Sequence, residues 1–207
     1  MQPQAQGHSL GFSHSRCAGV CNVSVQVEVG YRRLATLAVL IALGIVFFLV
    51  LRFHPFPMVP FLVYEPADVA LLVAGFALGP SEGLLATAVV CVLQAPLHPE
   101  GGWFGALMHF IASGALVATS SVIYARNRTK RGAYVALGAG AVAMILVMIP
   151  ANLILIPVFY GLPRSAVVSV MGWIIAFNVL KAGLNAVITA IIYKPISRLI
   201  KGVAGAR

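Results

Sequence analysis

Apolar stretches of about 20 residues recur along this chain between short polar breaks, the spacing that a roughly 30 Å hydrocarbon core demands. A chain built this way uses lipid as its solvent. The composition agrees: 60% of the residues are hydrophobic, 9% are charged, and the mean hydropathy is +0.97. The 207 residues suffice for one compact bundle and leave no room for a second domain. The expected fold class is therefore all-α, an integral membrane bundle of six transmembrane helices.

The spans are expected at 34–51, 69–78, 84–94, from Trp103 to the basic loop at 126–131, at 133–155 and at 171–193. Residues 1–30 read as a disordered N-terminal extension, 31–201 as the six-helix membrane domain and 202–207 as a cytoplasmic tail. Basic residues gather at span ends: Arg32 and Arg33 before the first, Arg126, Arg128, Lys130 and Arg131 between the fourth and fifth, and Lys194, Arg198, Lys201 and Arg207 after the last. All three clusters fall on one side only if the number of crossings is even. The positive-inside rule then puts both termini in the cytoplasm and reads the net charge of +9 as topology, with no nucleic-acid partner.

Cys17, Cys21 and Cys91 imply no disulfide framework, and His8, His14, Cys17 and Cys21 match no standard zinc spacing, so no metal is expected. Gly79-Pro80-Ser81-Glu82-Gly83 has the form G-x-S-x-G, but it lies in a turn between two spans and not between a strand and a helix. The chain has no Walker-type phosphate loop and no H-E-x-x-H, so it is read as neither an ATPase nor another enzyme. Glu65, Asp68, Glu82 and Glu100 are placed at or beyond span ends, which argues against a standalone secondary transporter. His109 has no evident partner for a membrane enzyme.

Two features point to a ligand site. The segment 52–68 carries Pro55, Pro57, Pro60 and Pro66 in an apolar, aromatic context, so it is irregular backbone that must be buried against protein or ligand. In the last span, Asn178, Lys181 and Asn185 fall on one helical face. Amides alone could glue helices together, but a midspan lysine costs roughly 2.5–3.5 kcal/mol on insertion scales and marks a polar cavity. Asn152, near the outer end of the fifth span, is a weaker candidate. The small residues of the first span, such as Ala38 and Ala42, serve either close helix packing or the docking of another membrane subunit.

The segments MVPFLVYEPADVALLVAGFALGPSEG, GGWFGALMHFIASGALV, MIPANLILIPVFYG and FNVLKAGLNAVITAIIYKPISRLI, in that order and spacing, resemble the riboflavin-specific substrate-binding S components of energy-coupling factor (ECF) transporters. The resemblance covers about residues 33–201 and is carried most specifically by F-N-x-x-K-A-G-x-N and P-F-L-x-Y-x-x-x-D. It implies a vitamin-capturing subunit of a prokaryotic cell membrane, open to the outside and binding riboflavin as transported ligand, with no cofactor. A transmembrane coupling subunit and two cytoplasmic ATPases would complete the importer. Asn152, Asn178 and Lys181 would hydrogen-bond flavin and ribityl oxygens, Phe61, Leu62 and Tyr64 would cap the ring, and Asp68 and Asn185 join the same set. Ala38 and Ala42 would meet the coupling subunit. Whether Asp68 pairs with Lys181 or faces water stays open, and so do the alternatives of another vitamin or a secondary transporter.

Overall fold

The computed structural model describes residues 15–57, 62–97 and 101–204, with side chains described over 30–57, 62–97 and 101–192. Among these residues six α-helices follow one another: α1 Ser15–Val50, α2 Ala67–Ala77, α3 Pro80–Gln94, α4 Gly102–Arg126, α5 Lys130–Tyr160 and α6 Arg164–Ala204, with a 3-10 turn Ala95–Leu97 after α3. Among the described residues the only β pairing is one antiparallel bridge, Phe53 to Tyr64. Residues 1–14 and 205–207 lie outside the described residues. So does Phe61, and so do the side chains of Lys194, Arg198 and Lys201.

Among the described residues, five helices are long and apolar enough to cross a membrane: the Gly30–Val50 part of α1, the Pro80–Leu97 stretch, α4, α5 and the Arg164–Ile192 part of α6. Helix α2 is not. Its 11 residues rise only about 16 Å, half a hydrocarbon core. The expected third span, 84–94, in fact begins at Pro80 and reaches Leu97 through the 3-10 turn, so only one of the two short spans is truly short. Pro80 can open α3 because the first helical position has no intrahelical donor to lose. Gly79 before it takes a φ of 131°, which suits glycine.

A half-length helix survives because protein surrounds it. Ten of the residues of α2, from Ala67 to Phe76, are buried, and it packs on α1, α3, α4 and α6. Close approach needs missing side chains. A Cβ on Gly83 would stand 2.6 Å from the Gly75 Cα, and one on Gly75 would strike the Ser121 hydroxyl. Phe76 stacks on Tyr124 at 4.4 Å, which brings the end of α2 beside the end of α4. At the same end Arg33 of α1 donates to Leu78 O and to Glu82 Oε1, 2.9 and 2.8 Å away. The basic start of the first span and the basic loop after α4 therefore share one end of the bundle.

Helix α5 starts on a cap, with the Thr129 hydroxyl accepting from Gly132 N at 3.0 Å, and stops at Gly161 with a φ of 65°. Pro150 and Pro157 lie inside it and remove two donors from its ladder on either side of Asn152.

Candidate functional site

Between α4, α5, α6 and the segment that leads into α2 lies a cavity of about 520 Å³, inside the roughly 300–1,000 Å³ range of small-molecule sites. Its walls are mostly apolar. Phe104, Met108, Met148, Ile156, Val170 and Phe177 are among them. Tyr160 and Phe104 meet edge to face at 5.1 Å on the wall, and Phe159 stacks on Phe104 at 4.4 Å. The polar lining is small: Glu65, His109, Asn152, Asn178 and Lys181.

Of the residues singled out in the sequence, Leu62, Asn152, Asn178 and Lys181 line the cavity. Asn152 Nδ2 donates to Met148 O at 2.6 Å and Asn178 Nδ2 to Ile174 O at 2.8 Å, each one turn back on its own helix. These bonds fix the two amide planes. A carboxamide has two donor hydrogens and two acceptor lone pairs, so each keeps most of its capacity for a ligand.

Tyr64, Asp68 and Asn185 are not on the cavity wall but directly behind it. The Tyr64 hydroxyl donates to Asn185 Oδ1 at 3.0 Å, and Asn185 Nδ2 donates to Asp68 Oδ2 at 2.7 Å. Asp68 is fully buried. Its other oxygen accepts from the Ser113 hydroxyl and lies 3.0 Å from His109 Nε2. The Lys181 ammonium stands 3.7 Å from Asp68 Oδ2. Asp68 thus pairs with Lys181 and does not face water.

Two expectations are corrected here. Glu65 and Asp68, expected at span ends, are both buried inside the bundle, because α2 begins deep within it and not at its rim. His109, without an evident partner in the sequence, has several in the structure: Nε2 faces Asp68, and Nδ1 lies 2.9 Å from Gln94 Oε1 and 3.6 Å from Glu65 Oε1. Sequence reasoning missed His109 and Glu65 because their partners are remote along the chain. The available signal was the pair His109 and Ser113, four residues apart on one face of α4 and flanked by apolar residues. The G-x-S-x-G string, expected in a turn between spans, is Gly79 followed by the first helical turn of α3, where Ser81 donates to Glu82 Oε2 at 2.7 Å and Glu82 pairs with Arg33.

The model of the ECF transporter substrate-specific component family matches residues 32–193. The chain belongs to that family. Similarity extends over most of the length of known members. The riboflavin transporter RibU of Staphylococcus aureus (strain TCH60) is 25% identical over 180 residues, 82% of this chain and 93% of that protein. The riboflavin transporter FmnP of Bacillus subtilis (strain 168) is 27% identical over 161 residues, 72% of this chain and 85% of that protein. A solved S component of a bacterial ECF transporter superimposes with a TM-score of 0.72 at 24% identity, over 83% of this chain and 99% of that one, and shares its fold. As an ECF substrate-specific component, the chain is a multi-pass membrane protein of a transport system, and the six-helix arrangement is that of its family.

Proposed function

We propose that this chain captures riboflavin from outside the cell and hands it to an ATP-driven coupling module supplied by other subunits. The observation that carries the reading is the cavity itself. A flat, largely apolar isoalloxazine with a hydrogen-bonding edge needs an apolar slot and a few placed polar groups, which is what Phe104, Met148 and Phe177 together with Asn152, Asn178 and Lys181 offer. The relatives from S. aureus and B. subtilis, both named riboflavin transporters, support the same ligand.

The coupling module would comprise a membrane subunit and two cytoplasmic ATPases. Ala38 and Ala42 support a docking face for it, since both are exposed on α1, on the side turned away from the core residues Leu37 and Phe48. A cytoplasmic location of both termini is supported by the positive-inside rule, since the basic loop after α4 shares an end of the bundle with Arg33. Isothermal calorimetry of the detergent-solubilised chain tests the ligand: tight, one-to-one riboflavin binding without ATP is expected, and binding of a different vitamin in its place would refute the assignment.

A further inference from the structure

Three aromatic rings meet where the start of α4 reaches the end of α5. Phe104, in the first turn of α4, stacks on Phe159 at 4.4 Å and meets Tyr160 edge to face at 5.1 Å. Phe159 and Tyr160 also touch each other, at 5.2 Å, so two consecutive residues at the end of α5 clasp one ring of α4. Phe104 and Tyr160 line the cavity, whereas Phe159 does not. Phe159 is 59% exposed, yet the face of its ring lies on Phe104. Among the described residues no hydrogen bond joins 101–105 to 156–162, so this contact is one of rings and apolar side chains. Pro157 removes a donor from the last turn of α5, and the helix stops at Gly161. The segment before α2, which also covers the cavity, is pinned instead. There Phe53 and Tyr64 exchange backbone hydrogen bonds of 3.2 and 2.9 Å, and the Tyr64 hydroxyl donates to Asn185.

We infer that the cluster of Phe104, Phe159 and Tyr160 is a gate through which the ligand enters and leaves, and that Phe159 is a positioning residue acting through Phe104. This rests on the riboflavin reading. Stacked rings part without breaking a hydrogen bond. None of the residues hydrogen-bonded to Asp68 belongs to the cluster, so parting the rings opens the cavity between two helix ends and leaves the buried polar network intact. Phe159 is absent from the cavity wall, so its stack on Phe104 contributes equally to the empty and the loaded chain. Weakening that stack must then speed passage in both directions by the same factor and leave the binding equilibrium alone.

The test is stopped-flow fluorescence of riboflavin with the detergent-solubilised full chain. Phe159→Ala should raise the association and the dissociation rate constants together, each roughly 2- to 10-fold for the loss of one aromatic pair, while Kd moves by less than about twofold. Phe159→Leu, which keeps apolar bulk without the ring, should behave like Phe159→Ala. Phe159→Tyr keeps the ring and should match the parent, as should Val158→Ala at the neighbouring position, which is 79% exposed. With riboflavin in excess, both constants come from the concentration dependence of the observed rate and do not depend on the fraction of protein that folds. Unchanged rate constants in the two variants without the ring would overturn the inference. So would faster release with unchanged entry, which makes the cluster a wall and not a gate, or an equal acceleration in Phe159→Tyr or Val158→Ala. Each of these results would leave riboflavin as the ligand. No riboflavin binding by the parent chain would overturn the ligand assignment and this inference together.

Discussion

Lys181, on the last helix, and Asp68, in the first turn of the half-length α2, form an ion pair 3.7 Å long with almost no access to water. The pair explains how a midspan lysine is tolerated. The carboxylate neutralises the ammonium from behind, and Asn185, Ser113 and His109 satisfy the carboxylate in turn. Burying two charges rarely gains net stability, but removing one partner strands the other. The pair is thus better understood as holding the Lys181 side chain at the cavity wall than as a source of stability.

Asp68→Asn should lower thermal stability in detergent sharply, on the order of 3–5 kcal/mol for an uncompensated buried lysine. Adding Lys181→Met to it should recover part of the loss. A coupling of roughly 0.5–3 kcal/mol is expected from the double-mutant cycle. Strictly additive losses would mean that the two residues do not act as a pair.

Asn178→Ala should weaken riboflavin roughly 5- to 150-fold, since leaving a buried polar partner unsatisfied costs about 1–3 kcal/mol and tenfold in affinity is about 1.4 kcal/mol. Lys181→Met keeps the bulk of the stem and deletes the ammonium, so it should also weaken binding. Asn127→Ala, at the end of α4 beyond the cavity, serves as the control and should bind like the parent. Calorimetry on the three variants decides, and parental affinity in all of them would make this helix face structural glue.

The six helices, the basic clusters at their ends and the polar face of α6 were legible because each is a local pattern: an apolar run, a basic cluster, or a spacing of three and four residues. Asn152, Asn178 and Lys181 reach the cavity from helices whose inward faces the sequence already marks. The network behind them was not legible. Asp68 meets His109 across 41 positions and Asn185 across 117, and nothing local in the sequence encodes such contacts. The depth of Glu65 and Asp68 was misjudged for a related reason. A span of 11 residues looks like a helix near the rim, and only the packing of α1, α3, α4 and α6 around it shows that its N-terminus is central.

Gly83→Ala should be costly although the change is small. The new methyl would lie 2.6 Å from the Gly75 Cα and 3.0 Å from a Val117 methyl, so α2 and α3 would have to separate. Overpacking of this kind costs about 1–3 kcal/mol. A lowered melting temperature in detergent is the expected result. Gly138→Ala, with no atom within 4 Å of its new methyl, should leave it unchanged.

Ala38→Trp and Ala42→Trp should leave riboflavin binding by the isolated chain intact and abolish its uptake by cells. Both alanines are exposed on α1 and absent from the cavity wall, so added bulk would spoil a docking surface without touching the pocket. Loss of binding in the isolated variants would show that these residues serve internal packing.

The most direct measurement is calorimetry of the purified wild-type chain with riboflavin, alongside extraction of any small molecule that copurifies. The account predicts saturable one-to-one binding in the absence of ATP and of any other subunit, and a yellow preparation that releases flavin on denaturation. A well-folded chain that leaves riboflavin unbound and releases no flavin would contradict it.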